Sequence, residues 1–174
     1  MNARYSRTAM GLHWLMAVLV IGLIGWGLWM SDLPKGPERG WAIGIHKSFG
    51  MLALMLVFVR LGWRLGHRPP PNRMLTAIET RLANAAHHLL YVLLVVVPGM
   101  GLTSVNFTKY PLKFFAIEVP KAGWPDEALN TLFSTTHKFL AWTLIALIVL
   151  HVAAAIRHTI RRDGTMQRML PGKH

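Results

Sequence analysis

The segment Leu132–Ile156, LFSTTHKFLAWTLIALIVLHVAAAI, decides the fold. It is 25 residues long and carries one charge, Lys138, close to its start. At about 1.5 Å per residue a helix of this length crosses a hydrocarbon core of about 30 Å. The same segment holds His137 and His151, 14 residues apart. A helix places them within about 40° of one face and about 21 Å apart along the axis. Imidazoles inside membrane spans are rare and mark functional sites by default.

Outward from this segment, three further apolar spans run over Thr8–Met30, Trp41–Trp63 and Leu82–Val105. The predicted architecture is an all-α integral membrane protein. It is a bundle of four transmembrane helices, about 8–30, 41–63, 82–105 and 132–158, with residues 1–174 as one membrane domain. Lys47, Arg60 and Lys138 lie near span ends, where long side chains snorkel. Trp14, Trp26, Trp29, Trp41, Trp63 and Trp142 mostly flank the spans as an interfacial belt. The first span follows Arg4 and Arg7 but exceeds the roughly 7–15 residues of a signal-peptide core, so it reads as a permanent helix. Pro98, followed by Gly99 and Gly101, predicts a kink late in the third span. The stretch from Asn106 to Asn130, with Pro111, Pro120 and Pro125, reads as an extended loop or short surface helix.

Composition agrees. Of 174 residues, 53% are hydrophobic and 15% charged, against about 25% charged in soluble domains. The chain has no cysteine, which excludes a disulfide scaffold, an iron–sulfur cluster and thioether-linked haem. The net charge is +12, and it is unevenly placed. Twelve of the 19 Lys and Arg residues fall at the N-terminus, the second linker and the C-terminal tail. The positive-inside rule puts both termini in the cytoplasm. Because these cations flank membrane spans, they point to lipid and not to nucleic acid.

At least five of the nine histidines fall inside spans, His13, His46, His87, His137 and His151, with His88 beside His87. They sort by depth. His13 and His151 lie near the cytoplasmic ends of the first and fourth helices, and His46 and His137 near the outer ends of the second and fourth. Two stacked haems, each with two axial imidazoles, need this arrangement, and bis-imidazole ligation favours electron transfer over ligand binding at iron. The pairs are then His13/His151 and His46/His137. His87 shares the inner layer and is an alternative to His13. Zinc or copper bound by the histidines, or plain packing, are the competing readings.

The ordered set of segments also resembles a known family. Tyr5-Ser6-Arg7 with Leu12-His13-Trp14-Leu15, Ile45-His46 with Gly50, His87 to Tyr91 with Pro98-Gly99, Thr136-His137-Lys138, Leu150-His151-Val152-Ala153-Ala154 and Met166 to Pro171 are similar to the prokaryotic cytochrome b561 family. The resemblance implies an inner-membrane cytochrome with two b haems. It further implies oxidation of superoxide to O2 at the periplasmic side, with ubiquinone as electron acceptor. On that reading the His46/His137 haem receives the electron and the His13/His151 haem passes it on. Lys47 and Lys138, each directly after an outer histidine, with Lys109, Lys113 and Lys121, would steer a small anion inward. Phe114 and Trp124 are candidates to cap that haem. His158, seven residues beyond His151, is a quinone candidate with His87 and Arg157, placed to hydrogen-bond a carbonyl or relay a proton. The alternative function is a cytochrome b subunit serving a partner dehydrogenase or hydrogenase.

Overall fold

The computed structural model describes residues 4–67 and 74–170. The Pro-rich run Arg68 to Arg73 and the terminal Pro171 to His174 lie outside the described residues. Four long helices follow one another: α1 (Arg7–Asp32), α2 (Pro37–Gly66), α3 (Ala77–Asn106) and α4 (Glu127–Ile160). All four are long and apolar enough to span a membrane.

Each helix runs past the apolar span read from the sequence, because a capping side chain or a proline opens its first turn. Ser6 caps α1 by accepting from the Ala9 N–H at 3.2 Å. Pro37 opens α2, where its missing N–H costs nothing. Thr76 and Glu79 form a reciprocal capping box on α3. Asp126 accepts from the Leu129 N–H at the start of α4. These caps belong to the water interface and hydropathy alone does not register them. Helix α3 continues through Pro98.

Packing is sequential, α1 on α2, α2 on α3 and, most extensively, α3 on α4. The α3–α4 seam centres on buried Leu93, Val97 and Leu144. Asn130 fastens its outer end by donating to the Ser104 carbonyl at 2.8 Å. Outside the seams, large apolar side chains stay exposed, among them Val18, Phe58, Val59, Phe139, Val149 and Leu150. So large an apolar surface is stable only against lipid.

The α3–α4 connection differs from the expected loop or surface helix. It carries an antiparallel hairpin, β1 (Leu112–Phe114) and β2 (Ile117–Val119), with Lys113 opposite Glu118. Strands this short carry no readable alternation, so sequence patterning could not reveal them. Beyond α4, a 3₁₀ turn at Met166–Met169 folds back on α1. There the Tyr5 N–H donates to the Arg168 carbonyl, and the Trp14 indole donates to the Met169 carbonyl at 2.8 Å.

Candidate functional site

Helix α4 presents His137 and His151 toward α2 and α1 at two levels. At the outer level the rings of His46 and His137 are 6.2 Å apart, with their planes crossed at 86°. At the inner level His13 and His151 are 6.3 Å apart and crossed at 69°. Two metal–imidazole bonds of about 2.0–2.1 Å each, plus the two ring radii, span roughly 6 Å. Both pairs therefore have the separation of two imidazoles facing one metal from opposite sides. His87 on α3 lies 5.6 Å from His151. That contact crosses the tightly packed α3–α4 seam, whereas the two pairs cross from α4 to helices it does not closely pack against.

The outer rings are seated on neighbouring helices. His137 Nδ1 donates to the Val97 carbonyl of α3 at 2.8 Å. A Cβ added at Gly101 would stand 3.0 Å from the same nitrogen. His46 lies against Gly27 of α1, where an added Cβ would stand 3.2 Å from Cε1. Its Nδ1 is buried without a hydrogen-bond partner.

Above this level lies the hairpin. Its Phe115, at φ 53°, donates its N–H to the buried Ser48 hydroxyl at 2.8 Å, and its ring packs on Phe49. Phe115 thus joins β1 in packing on α2, Phe114 lies edge-on to Phe115, and Trp124 packs on Phe107. Lys47 is half-buried and feels the charge of Lys121. Lys121 itself is held by the Thr108 and Tyr110 carbonyls. Lys109, Lys113 and Lys138 are exposed.

At the inner level, Arg60 donates to His13 Nδ1 at 3.0 Å, and Arg60 and Arg64 both lie 5.4 Å from the centre of the Tyr91 ring. His158 Nδ1 donates to Asp163. Burial pushes the Asp163 carboxyl up, but hydrogen bonds from His158 and Thr165 outweigh it and hold the group at about 2. Arg157 does not join His158. Its exposed guanidinium pairs with Glu79 of α3, as does Arg161.

A model of the prokaryotic cytochrome b561 family matches residues 4–172. The chain belongs to this family. Among cytochromes b561, the chain is 34% identical to cytochrome b561 homolog 2 of Escherichia coli K12, over 96% of this chain and 91% of that one. It is 28% identical to the probable superoxide oxidase CybB of Yersinia pestis, over 99% of both. Identity to E. coli cytochrome b561 homolog 1 is 27%, over 97% of both. This cytochrome b561 is thus a multi-pass bacterial membrane protein that carries b-type haem and transfers electrons.

The residues present fit that group. The paired donors are imidazoles alone, the ring separations suit axial ligation, and His46 keeps an orphaned buried nitrogen at the site. Among the described residues no cluster of three or more His, Asp or Glu could hold a bare ion. Two imidazoles with no carboxylate or thiolate beside them are a poor set for zinc or copper, and they suit a metal whose other donors come from a macrocycle.

Gly27, Ser48 and Phe115 stand out by nothing in the sequence. None belongs to a motif, and each acquires its partner only through packing. The Pro98–Gly99–x–Gly101 run was conspicuous, but only as a kink.

Proposed function

We propose that this cytochrome b561 holds two b haems and is a superoxide:ubiquinone oxidoreductase of the inner membrane, with both termini cytoplasmic. The carrying observation is the stacking of two imidazole pairs of equal separation on α4, with lysines around the outer one. His46 and His137 would hold the outer haem, and His13 and His151 the inner. His13 is favoured over His87 because the His87–His151 contact crosses the extensively packed α3–α4 seam, which leaves less room between the two rings. When bound, each haem supplies a one-electron carrier at its depth. The likeness to a probable superoxide oxidase supports the choice of donor.

Two superoxide anions leave as two O2 and give up two electrons, and ubiquinone takes both with two protons to become ubiquinol. Lys47 and Lys138 raise the local concentration of the anion beside the outer pair. At the inner end His87 and His158 are the quinone-side residues. Asp163 stays ionised and fixes the proton of His158 on Nδ1, which leaves Nε2 free to face a carbonyl or pass a proton. Arg157 contributes charge at the rim together with Glu79.

Purified protein mixed with superoxide in the presence of ubiquinone-1 should show rapid appearance of the reduced b band and quinone-dependent turnover. Lys47→Gln and Lys138→Gln should each slow the second-order step about two- to fivefold at low ionic strength, with less difference at high salt. Haem reduction at the uncatalysed background rate would instead favour a subunit fed by a partner protein.

A further inference from the structure

The two outer histidines are held differently from the inner ones. His13 and His151 contact each other, His87 and Arg60. His46 and His137 instead press their Nδ1–Cε1 edges into glycines of a third and fourth helix. Of the remaining glycines near the bundle histidines, Gly11, Gly44, Gly50 and Gly99 have nothing within 4 Å of an added Cβ. Gly27 and Gly101 do, and in both cases the neighbour is an outer imidazole. Helix α3 adds a second element to its notch. The Val97 carbonyl lies one turn before Gly101 and has a lone pair to spare beyond its helical bond. It takes the His137 Nδ1–H at 2.8 Å.

We infer that Gly27 and Gly101 are positioning residues for the outer pair, and that the Val97 carbonyl fixes the proton of His137 on Nδ1. The inference rests on the ligand assignment proposed above. Donation from Nδ1–H raises the basicity of the opposite nitrogen and fixes the ring orientation. His46 has no such acceptor. The outer site therefore has one strengthened imidazole and one plain one, with the stronger donor on α4. A more basic axial ligand favours the ferric state, so the His137–Val97 bond holds the potential of that centre down. A side chain at 101 would disturb the reach of the ring to the carbonyl. A methyl group at 3.0 Å must push it away by a few tenths of an ångström.

The test uses the full chain purified with its haems. Gly101→Ala is compared with Gly99→Ala, two residues away on the same helix and free of contacts. Gly101→Ala should raise the midpoint potential of one haem and change its low-spin EPR signal, or release that haem alone. Gly99→Ala should do neither. His137→Gly loaded with haem in the presence of free imidazole or 1-methylimidazole isolates the hydrogen bond, because the second ligand has no proton to give. Imidazole should bind roughly three- to tenfold more tightly, the range of one hydrogen bond. An unchanged potential and EPR signal in Gly101→Ala with both haems bound overturns the proposal, as does equal binding of the two imidazoles. If Gly101→Ala loses all haem, the imidazole comparison decides. A His137→Ala protein that keeps both haems refutes the ligand assignment itself. A His137→Ala protein that loses one haem, with a silent Gly101→Ala, refutes the positioning role alone.

Discussion

Arg60 stands where the charge balance of the inner pair is set. Its guanidinium donates to His13 Nδ1, so a neutral His13 in this contact carries its proton on the other nitrogen. Ligation through Nε2 requires the opposite tautomer, and Arg60 must then release Nδ1. The carboxylates of a haem offer it an alternative partner, with Arg64 beside it against Tyr91. A cation near a haem favours its reduced state, by about 2 kcal/mol at an effective dielectric constant of about 20. For one electron that is of order 90 mV. Arg60→Leu should therefore lower the potential of one haem by several tens of millivolts and leave the other in place, as read by redox titration of the b bands. The histidines were legible at this scale because so polar a side chain is conspicuous in an apolar run. The Arg60–His13 contact was not legible, since its two ends lie 47 positions apart in the chain.

At the scale of elements, the hairpin β1–β2 depends on one buried hydroxyl. Ser48 is 2% exposed; its oxygen accepts from the Phe115 N–H and donates to the Gly44 carbonyl at 3.1 Å. Phe115 sits in the left-handed region, a conformation that costs a non-glycine residue about 1 kcal/mol or more. Packing on Phe49 and the bond to Ser48 offset that cost. Ser48→Ala leaves a partly buried N–H unsatisfied, a loss of about 1–3 kcal/mol. Hydrogen exchange over residues 112–119 should accelerate while α1–α4 stay protected; unchanged exchange there would show that Phe115 alone holds the hairpin. The four helices were readable because each is a long run of one physical character. The hairpin was not, because its stability comes from a serine on another helix.

Across the whole molecule, the C-terminal tail closes the inner end of the bundle. Asp163 holds His158 and the Thr165 N–H, which turns the chain so that Met166–Met169 reaches α1. Arg168 is 5% exposed and lies over Tyr5. The folded Asp163 carboxyl sits at about 2, below its ordinary 3.8. The stabilisation it gives is therefore complete above about pH 4 and is lost as pH falls through about 2. Exchange of the 163–170 amides should stay slow down to about pH 4 once corrected for intrinsic rates, then rise. Asp163→Asn should abolish that acid transition and loosen the tail at neutral pH.

The amino-acid sequence was sufficient for the four helices, their order, and the depths of His13, His46, His137 and His151. These follow from hydropathy, the 1.5 Å rise and the 100° turn, which are local properties of the chain. Packing was needed to tell which histidines meet. His13 and His87 are equivalent by depth and both rings reach His151, but only the His87 contact crosses the extensively packed α3–α4 seam. It was likewise needed for the glycine notches under His46 and His137 and for the turn of the tail onto Tyr5 and Trp14. Each of these joins residues remote in sequence, where helix rotation and lateral packing set the contact and no local periodicity encodes it.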